Sequence, residues 1–563
     1  MRPLALILAV TCSAVGAQAQ NVPADAVQEI QRQQAEQSER LDQRAAEQRP
    51  TDVSPQQAPP GPDPFAPAAG GPCFQIETVE LSGFEPFETP PPGYQALVGT
   101  CATAADIGAA LNRINQHYQD LGYITTRAYV PEQDVADGSL AITIVPGRVE
   151  RYVYGDGSPA DARLSTAFPS PGGSLLNLRD LEQGLEAINA PKSARGRFQL
   201  IPGAAAGGSL VQVAVEDTRP WHLSFSLNTL GFDSTGQEKA TLDFGYDNAL
   251  GINDQLRFSL VTTPFEQRDD RFSDAVALNW TAPFGYWRFG LDLSYSQYLF
   301  TLEGINQSFE VEGRGNSVQL SAERVLARGQ VSKLAAYADL KLSSSRSFID
   351  GFEIESQRRR LSVLSLGLRG DRNLPAGYFG WAVGGRFGLD AFGAGVLDAS
   401  IVDPTFRLVQ ARLDYQRAVG PGGLVYKGVF SAQHSGDVLP GTEQVSIGSW
   451  SNVRGFHDDS IYGDTGLYLR NTLEWDAFEN PTIAVRMNAG FDFGYVEPSE
   501  LRSWSQDFLI GASVGADITI RNRATLTVQV AQALSRPEDN PPGALPAFEA
   551  SETIGYIGLK VSF

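Results

Sequence analysis

Several things are scarce in this chain, and each scarcity narrows what it can be. Methionine is nearly absent, with 2 residues in 563, while glycine reaches 57. That balance suits strands and tight turns better than helical bundles. Positive charge is short: Lys and Arg total 44 against 65 Asp and Glu, a net charge of -21. Phosphate binding needs a basic face, so a nucleic-acid partner is excluded. The four histidines, His117, His222, His434 and His457, are scattered without zinc-ligand spacing. No phosphate-binding loop occurs. His457-Asp458-Asp459 reads as a solvated loop face rather than a metal site. No catalytic residue, metal or cofactor is expected.

Long apolar runs are also missing beyond the first twenty residues. Those twenty read as a secretory signal: Arg2 is the charged start, Leu4 to Val10 the apolar centre, and Ala17-Gln18-Ala19 the cleavage site. The signal covers residues 1–19, with the mature start at Gln20. After it, no stretch reaches the ~18 residues a membrane helix requires. The chain is therefore exported, and a membrane role demands a barrel. Of the three cysteines, Cys12 falls inside the signal. Cys73 and Cys101 form an even pair in an exported chain, which suggests a disulfide, with two free buried thiols as the alternative.

What is present falls into segments. Residues 20–48, chiefly Val22 to Gln48, are dominated by Ala, Gln, Glu and Arg, strong helix formers without a continuous apolar stripe. They read either as a polar helix in a hydrated place or as a solvated tail. Residues 49–72 are rich in Pro, Ala and Gly and read as an extended linker.

Residues 73–147 read strand, helix, strand, strand. Phe74 to Leu81 alternates. Ile107, Leu111, Ile114, Tyr118 and Leu121 recur at spacings of three and four, an amphipathic helix that Gly122 ends. Ile124 to Val130 and Leu140 to Val145 read as strands. The order repeats over residues 148–217, with a strand at Val149 to Tyr154, a helix marked by Leu178, Leu181, Leu185 and Ile188, and strands at Phe198 to Ile201 and Leu210 to Val215. Each copy is a small α+β module with an open strand edge able to accept a partner's strand.

From residue 218 to 563 the chain alternates. In Trp287 to Tyr295, in Ile483 to Tyr495 and in Phe508 to Ile520, every second residue is apolar. Segments of ~10 residues with one apolar side are the signature of a transmembrane β-barrel. Ile557, Leu559, Val561 and Phe563 carry the alternation to the last residue, as expected of a final strand zipped into a barrel seam. Length alone accommodates about twelve to eighteen strands. Between two alternating segments lies Ser446 to Gly466, SIGSWSNVRGFHDDSIYGDTG, polar and Gly-rich yet holding Trp450, Phe456 and Tyr462. A loop this long is functional or disordered, and its aromatics argue for function. It is expected to fold back into the pore, where Arg454 meets an acidic side chain.

The run GYITTRAYVPEQDVADGSLAITIVPGRVE (Gly122 to Glu150), then AFPSPGG, LNLRDLEQGLEAIN and VRGF, resembles the outer-membrane transporters of two-partner secretion, the hemolysin and hemagglutinin secretion/activation proteins. The resemblance spans nearly the whole mature chain. It implies a multi-domain fold: an N-terminal plug helix, a linker, two periplasmic POTRA modules and a sixteen-stranded transmembrane antiparallel β-barrel. It implies that the POTRA modules capture an unfolded exoprotein of adhesin or hemolysin type, in an outer membrane whose lipid surrounds the barrel and whose barrel-assembly machinery inserts it, reading Phe563 as a C-terminal signal. The family's lumen loop maps onto Val453, Arg454, Gly455 and Phe456, and its acidic wall motif onto GFDFG, with Asp492 as partner and Gly494 beside it. Register reading agrees, because Asp492 falls on the polar side of its strand. Arg supplies a planar fork that binds a carboxylate bidentately, which Lys cannot. Two other classes stay open: a BamA-like barrel-assembly insertase, and a passive porin that would leave the modules idle.

Overall fold

The computed structural model describes residues 72–87, 89–303, 307–396, 404–420, 422–456, 460–497, 508–535 and 553–563. The expected signal, the helix over Val22 to Gln48, the linker as far as residue 71, and His457-Asp458-Asp459 lie outside the described residues.

The first module holds β1 (Cys73–Ile76), β2 (Thr78–Ser82), β3 (Thr100–Thr103), α1 (Ala104–Asp120), β4 (Arg127–Tyr129) and β5 (Ser139–Val145). Its main sheet runs β2-β5-β4, with β2 parallel to β5. Helix α1 starts at a capping box: the Thr103 hydroxyl accepts from Asp106 N, and the Asp106 carboxylate accepts from Thr103 N at 2.8 Å. It ends before Gly122, whose φ of 92° is the left-handed conformation that Gly adopts without strain. Ala110, Ile114 and Tyr118 bury that helix against Ile76, Leu140, Ile142 and Ile144.

The strand expected over Phe74 to Leu81 is two strands in two sheets. Glu77 N and Thr78 N both donate to Gly138 O, at 2.7 and 3.2 Å, which turns the chain from one sheet to the other. Alternation continues across that bend, so periodicity alone does not reveal it. Strand β1 pairs with β3, and Cys73 and Cys101 are bonded across this two-stranded ladder.

The second module repeats the plan with β6 (Arg148–Tyr154), α2 (Ala162–Ala167), α3 (Leu178–Asn189), β7 (Ala194–Pro202) and β8 (Gly208–Asp217). Its sheet runs β6-β8-β7, with β6 parallel to β8, the same topology as in the first module. Helix α2 is one addition, too short to display a period. Asp161 caps it, accepting from Leu164 N at 3.2 Å.

The barrel begins with β9 (Trp221–Asn228), β10 (Lys239–Asp247), β11 (Gln255–Thr262) and β12 (Phe272–Phe284). It continues through β13 (Trp287–Glu303), β14 (Ser308–Arg328), β15 (Ser332–Ile349), the short β16 (Phe352–Glu353), β17 (Arg359–Leu374) and β18 (Gly377–Gly388). After the short β19 (Gly395–Val396) come β20 (Arg407–Ala418) and β21 (Leu424–Ser435). A small separate hairpin, β22 (Val445–Ile447) with β23 (Ile461–Gly463), precedes β24 (Gly466–Glu479), β25 (Ile483–Val496), β26 (Phe508–Ile520), β27 (Ala524–Ala533) and β28 (Ile554–Ser562). Apart from the two short strands and the hairpin, sixteen strands among the described residues close into one antiparallel barrel. The closing ladder, from Gly558↔Asn228 to Ser562↔Ser224, joins β28 to β9. Exposed Leu366, Leu368, Phe491 and Phe493 show which face meets lipid, and the intervening residues face the bore. Among the described residues no helix is long and apolar enough to cross a membrane.

Side chains weld the second module to the mouth of the barrel. Glu186 on α3 accepts from Lys333 Nζ at 2.8 Å and from Arg328, both at the turn between β14 and β15. Arg163 on α2 forks onto Asp217 at 2.7 and 2.8 Å, and its Nε donates to Asn253 at 2.9 Å. Burial pushes the Glu186 carboxyl up, but the charges and hydrogen bonds of Lys333 and Arg328 outweigh it and hold it at about 2.

A lumen loop clasped by the barrel wall

The segment between β21 and β24 turns inward. Gly448, at φ 99°, makes a tight corner. There Asn452 Oδ1 accepts from the backbone N–H groups of Gly448, Ser449 and Val453 at 2.9, 3.0 and 2.6 Å. Asn452 Nδ2 returns a bond to Ser446 O at 3.0 Å. One amide side chain thus folds the loop tip and aims the next residues at the wall. Ile447, Val453, Phe456 and Ile461 pack against Val496 and Leu509 in an apolar cluster, and Trp450 stacks edge-on against Tyr556 of β28.

Arg454 is 1% exposed and Asp492 is 0% exposed, so both charges are out of water. Arg454 Nε donates to Asp492 Oδ2 at 2.6 Å, and Nη2 donates to Oδ1 at 2.7 Å. Nη2 also reaches Asn471 O at 2.8 Å and Thr472 Oγ1 at 3.2 Å on β24. The Arg454 backbone N–H adds a third bond to Asp492, at 3.1 Å. Asn471 N donates to the other carboxylate oxygen at 3.1 Å. The carboxylate thus accepts four hydrogen bonds, which is what a buried charge needs to be tolerated.

Glycine makes the room. A Cβ on Gly490 would stand 2.1 Å from Arg454 Nη2, one on Gly494 2.9 Å from Val453 Cγ2, and one on Gly511 1.7 Å from Arg454 O. Gly490 and Gly494 flank Asp492 on the bore face of β25, and Gly511 is its direct partner on β26. Gly455, at φ 102°, lies so near β27 that a Cβ would be 2.5 Å from the Gln532 carbonyl carbon.

The structure thus brings Val453, Arg454, Gly455, Phe456, Asp492 and Gly494 together. Sequence reasoning missed Gly490, Gly511, Asn471, Thr472 and Asn452. Gly490 was available as the mirror of Gly494 about Asp492, whereas the others depend on strand pairing and loop closure. Phe563 stands at the seam, half exposed, with its N–H donating to Leu223 O at 2.9 Å and its carbonyl accepting from Arg219. Among the described residues no group of His, Cys, Asp and Glu is placed to hold a metal ion.

A closed barrel with an apolar outer face, paired α+β modules at one mouth and a loop drawn into the bore defines a class, the outer-membrane transporters built from POTRA modules and a barrel. The family model for haemolysin secretion/activation protein ShlB/FhaC/HecB matches residues 207–518. A ShlB-type POTRA domain matches residues 74–147, and a second POTRA domain matches 148–202. The outer membrane transporter CdiB of Dickeya dadantii (strain 3937) is 28% identical, over 81% of this chain and 82% of its own. The hemolysin transporter protein ShlB of Serratia marcescens is 26% identical over 84% of each chain. The solved structure of CdiB from Escherichia coli is similar with a TM-score of 0.81 at 27% identity, covering 96% of this chain and 98% of that one. The chain belongs to the haemolysin secretion/activation protein ShlB/FhaC/HecB family. It is an outer-membrane transporter of two-partner secretion with its POTRA modules in the periplasm, in agreement with the resemblance read from its motifs.

Proposed function

We propose that the chain exports one large, unfolded exoprotein of adhesin or hemolysin type, and that the lumen loop, pinned at Arg454 and Asp492, shapes the path. The exoprotein adds strands to the open edges of the two POTRA sheets, β2 and β4 in the first and β6 and β7 in the second. It then enters the bore as the helix over Val22 to Gln48 leaves. No covalent step is required, since folding beyond the membrane biases the direction of travel. The apolar belt meets outer-membrane lipid, and the barrel-assembly machinery inserts the chain, reading the terminal strand that ends in Phe563.

The observation that carries this reading is the buried Arg454–Asp492 pair inside the bore. A passive porin has no use for periplasmic modules, and the relatives reported above are named as transporters rather than as barrel-assembly factors. Arg454→Ala is expected to lower export while leaving a folded, heat-modifiable barrel. Export at the wild-type level by that variant removes the loop from the mechanism.

A further inference from the structure

The lumen loop meets the wall a second time, before it reaches Arg454. Leu439, just beyond β21, is buried against Leu361, Val363, Phe406 and Leu408. Four residues later Glu443, 3% exposed, lies 2.6 Å from Nη2 of Arg386 on β18. Arg386 faces the bore, because its partner Ser365 alternates with the lipid-facing Leu366. Strands β20, β21 and β24 separate this contact from Asp492 on β25. The loop therefore spans the bore as a chord with an ionic contact at each end. The polarities are reversed: a loop carboxylate on a wall guanidinium at the base, a loop guanidinium on a wall carboxylate at the tip.

The two ends differ in how firmly they hold. At the tip, the Arg454 side chain is 1% exposed and makes four hydrogen bonds, in a recess that three wall glycines leave open. At the base, the Arg386 side chain is 17% exposed and has one charge contact, and its Nε is buried without a hydrogen-bond partner. A second carboxylate stands nearby. Asp339 on β15, Ser365 and Arg386 share one register row, so Asp339 faces the bore two strands from Arg386. The backbones are roughly 10 Å apart at ordinary strand spacing, within the combined reach of the two side chains. Among the described residues Asp339 has no hydrogen bond or ion pair. An ion pair that opens onto nothing strands a charge, whereas one that opens onto a second carboxylate does not.

We propose that Glu443–Arg386 is a releasable tether: the base of the loop leaves the wall while the tip stays pinned, and Arg386 passes from Glu443 to Asp339. The bore then widens on the β17–β20 side by a swing of the loop about its tip. Glu443 and Asp339 are positioning residues that set the balance between two placements of one guanidinium. The inference rests on the reading of the loop as the element that shapes the export path.

Full-length protein in planar lipid bilayers reads the balance directly, as the fraction of time spent in the high-conductance state. Losing one close charge contact shifts such a balance by about tenfold. Glu443→Gln is expected to raise the open fraction by that factor, and Asp339→Asn to lower it by a similar one. Combining Glu443→Arg with Arg386→Glu re-forms the tether with reversed polarity and sets a carboxylate at position 386 against Asp339, so it is expected to bring the open fraction down from that of Glu443→Gln to the wild-type value or below it, a rescue that a merely structural role would not give. Heat-modifiable migration on gels establishes that each variant folds. An unchanged open fraction in Glu443→Gln or in Asp339→Asn, or no rescue by the swap in folded protein, overturns the tether. Loss of export by Arg454→Ala alongside a silent Glu443→Gln would overturn the tether alone, whereas wild-type export by Arg454→Ala would overturn the reading beneath it.

Discussion

Replacing Asp492 with Asn removes the charge from the wall and keeps nearly the same shape. The native carboxylate accepts from Arg454 Nε, Nη2 and N and from Asn471 N. An asparagine has one acceptor oxygen, so its amide group must point N–H donors at a guanidinium or at the Asn471 N–H. Arg454 would keep Asn471 O and Thr472 Oγ1 but lose its counter-charge while buried. Breaking a buried pair by removing one partner costs 3–5 kcal/mol, and the surviving bonds place this case at the lower end, about 3 kcal/mol. That corresponds to roughly a hundredfold rise in the undocked population of the loop. Trypsin offers the assay, because Arg454 is itself a cleavage site and is protected only while docked. With fast opening and closing, the cleavage rate tracks the open population. Asp492→Asn is therefore expected to speed cutting after Arg454 about a hundredfold. Gly511→Ala should do likewise by a different route, since its Cβ would meet a backbone oxygen at 1.7 Å and no rotamer relieves that. Gly555→Ala on β28 is the control, with nothing within 4 Å of the added carbon. Wild-type protection of Arg454 in Asp492→Asn would refute the reasoning, whatever secretion does.

Three other outcomes are expected. Glu186, held at about 2 against an ordinary 4.5, seats the second POTRA module with a contribution fully present above pH 4.5 and lost as pH falls toward about 2. The melting-temperature gap between wild type and Glu186→Gln should accordingly stay constant from pH 7 to 4.5 and shrink below that, and a gap that widens on acidification would contradict the assignment. The Cys73–Cys101 bond closes a sequence separation of 28, so its reduction is expected to cost the first module roughly 3.5 kcal/mol in a urea titration of the full chain. Deleting Val22 to Gln48 should raise open-pore conductance in lipid bilayers, and an unchanged conductance would remove the plug assignment.

Much of this protein follows from the order of its residues, because strand facing has a period of two and helix facing one of 3.6. The alternation of Phe491, Phe493 and Tyr495 with Asp492 and Gly494 needs no neighbour to say which side chains look outward. Ile114 and Tyr118 likewise mark the buried face of α1 on their own. The repeated order of helix and strands, and the motif VRGF with GFDFG, carried the family. Other features could not be read this way, because they arise between segments distant in sequence. The break between β1 and β2 depends on Gly138 O, some sixty residues on, and the α2 helix is too short for its period to register.

Pairing decided the rest. That Gly511 stands opposite Asp492, and that Asn471 turns its carbonyl toward Arg454, follows only once β24, β25 and β26 are in register. A one-residue slip would send Asp492 into lipid with its sequence unchanged. The closure of sixteen strands is likewise a property of the whole ring, since a ladder closes only when the last strand finds the first. The residues alone determined which faces are apolar and which loop holds the arginine. The fold determined what that arginine grips, because a hydrogen bond is made in space and not along the chain.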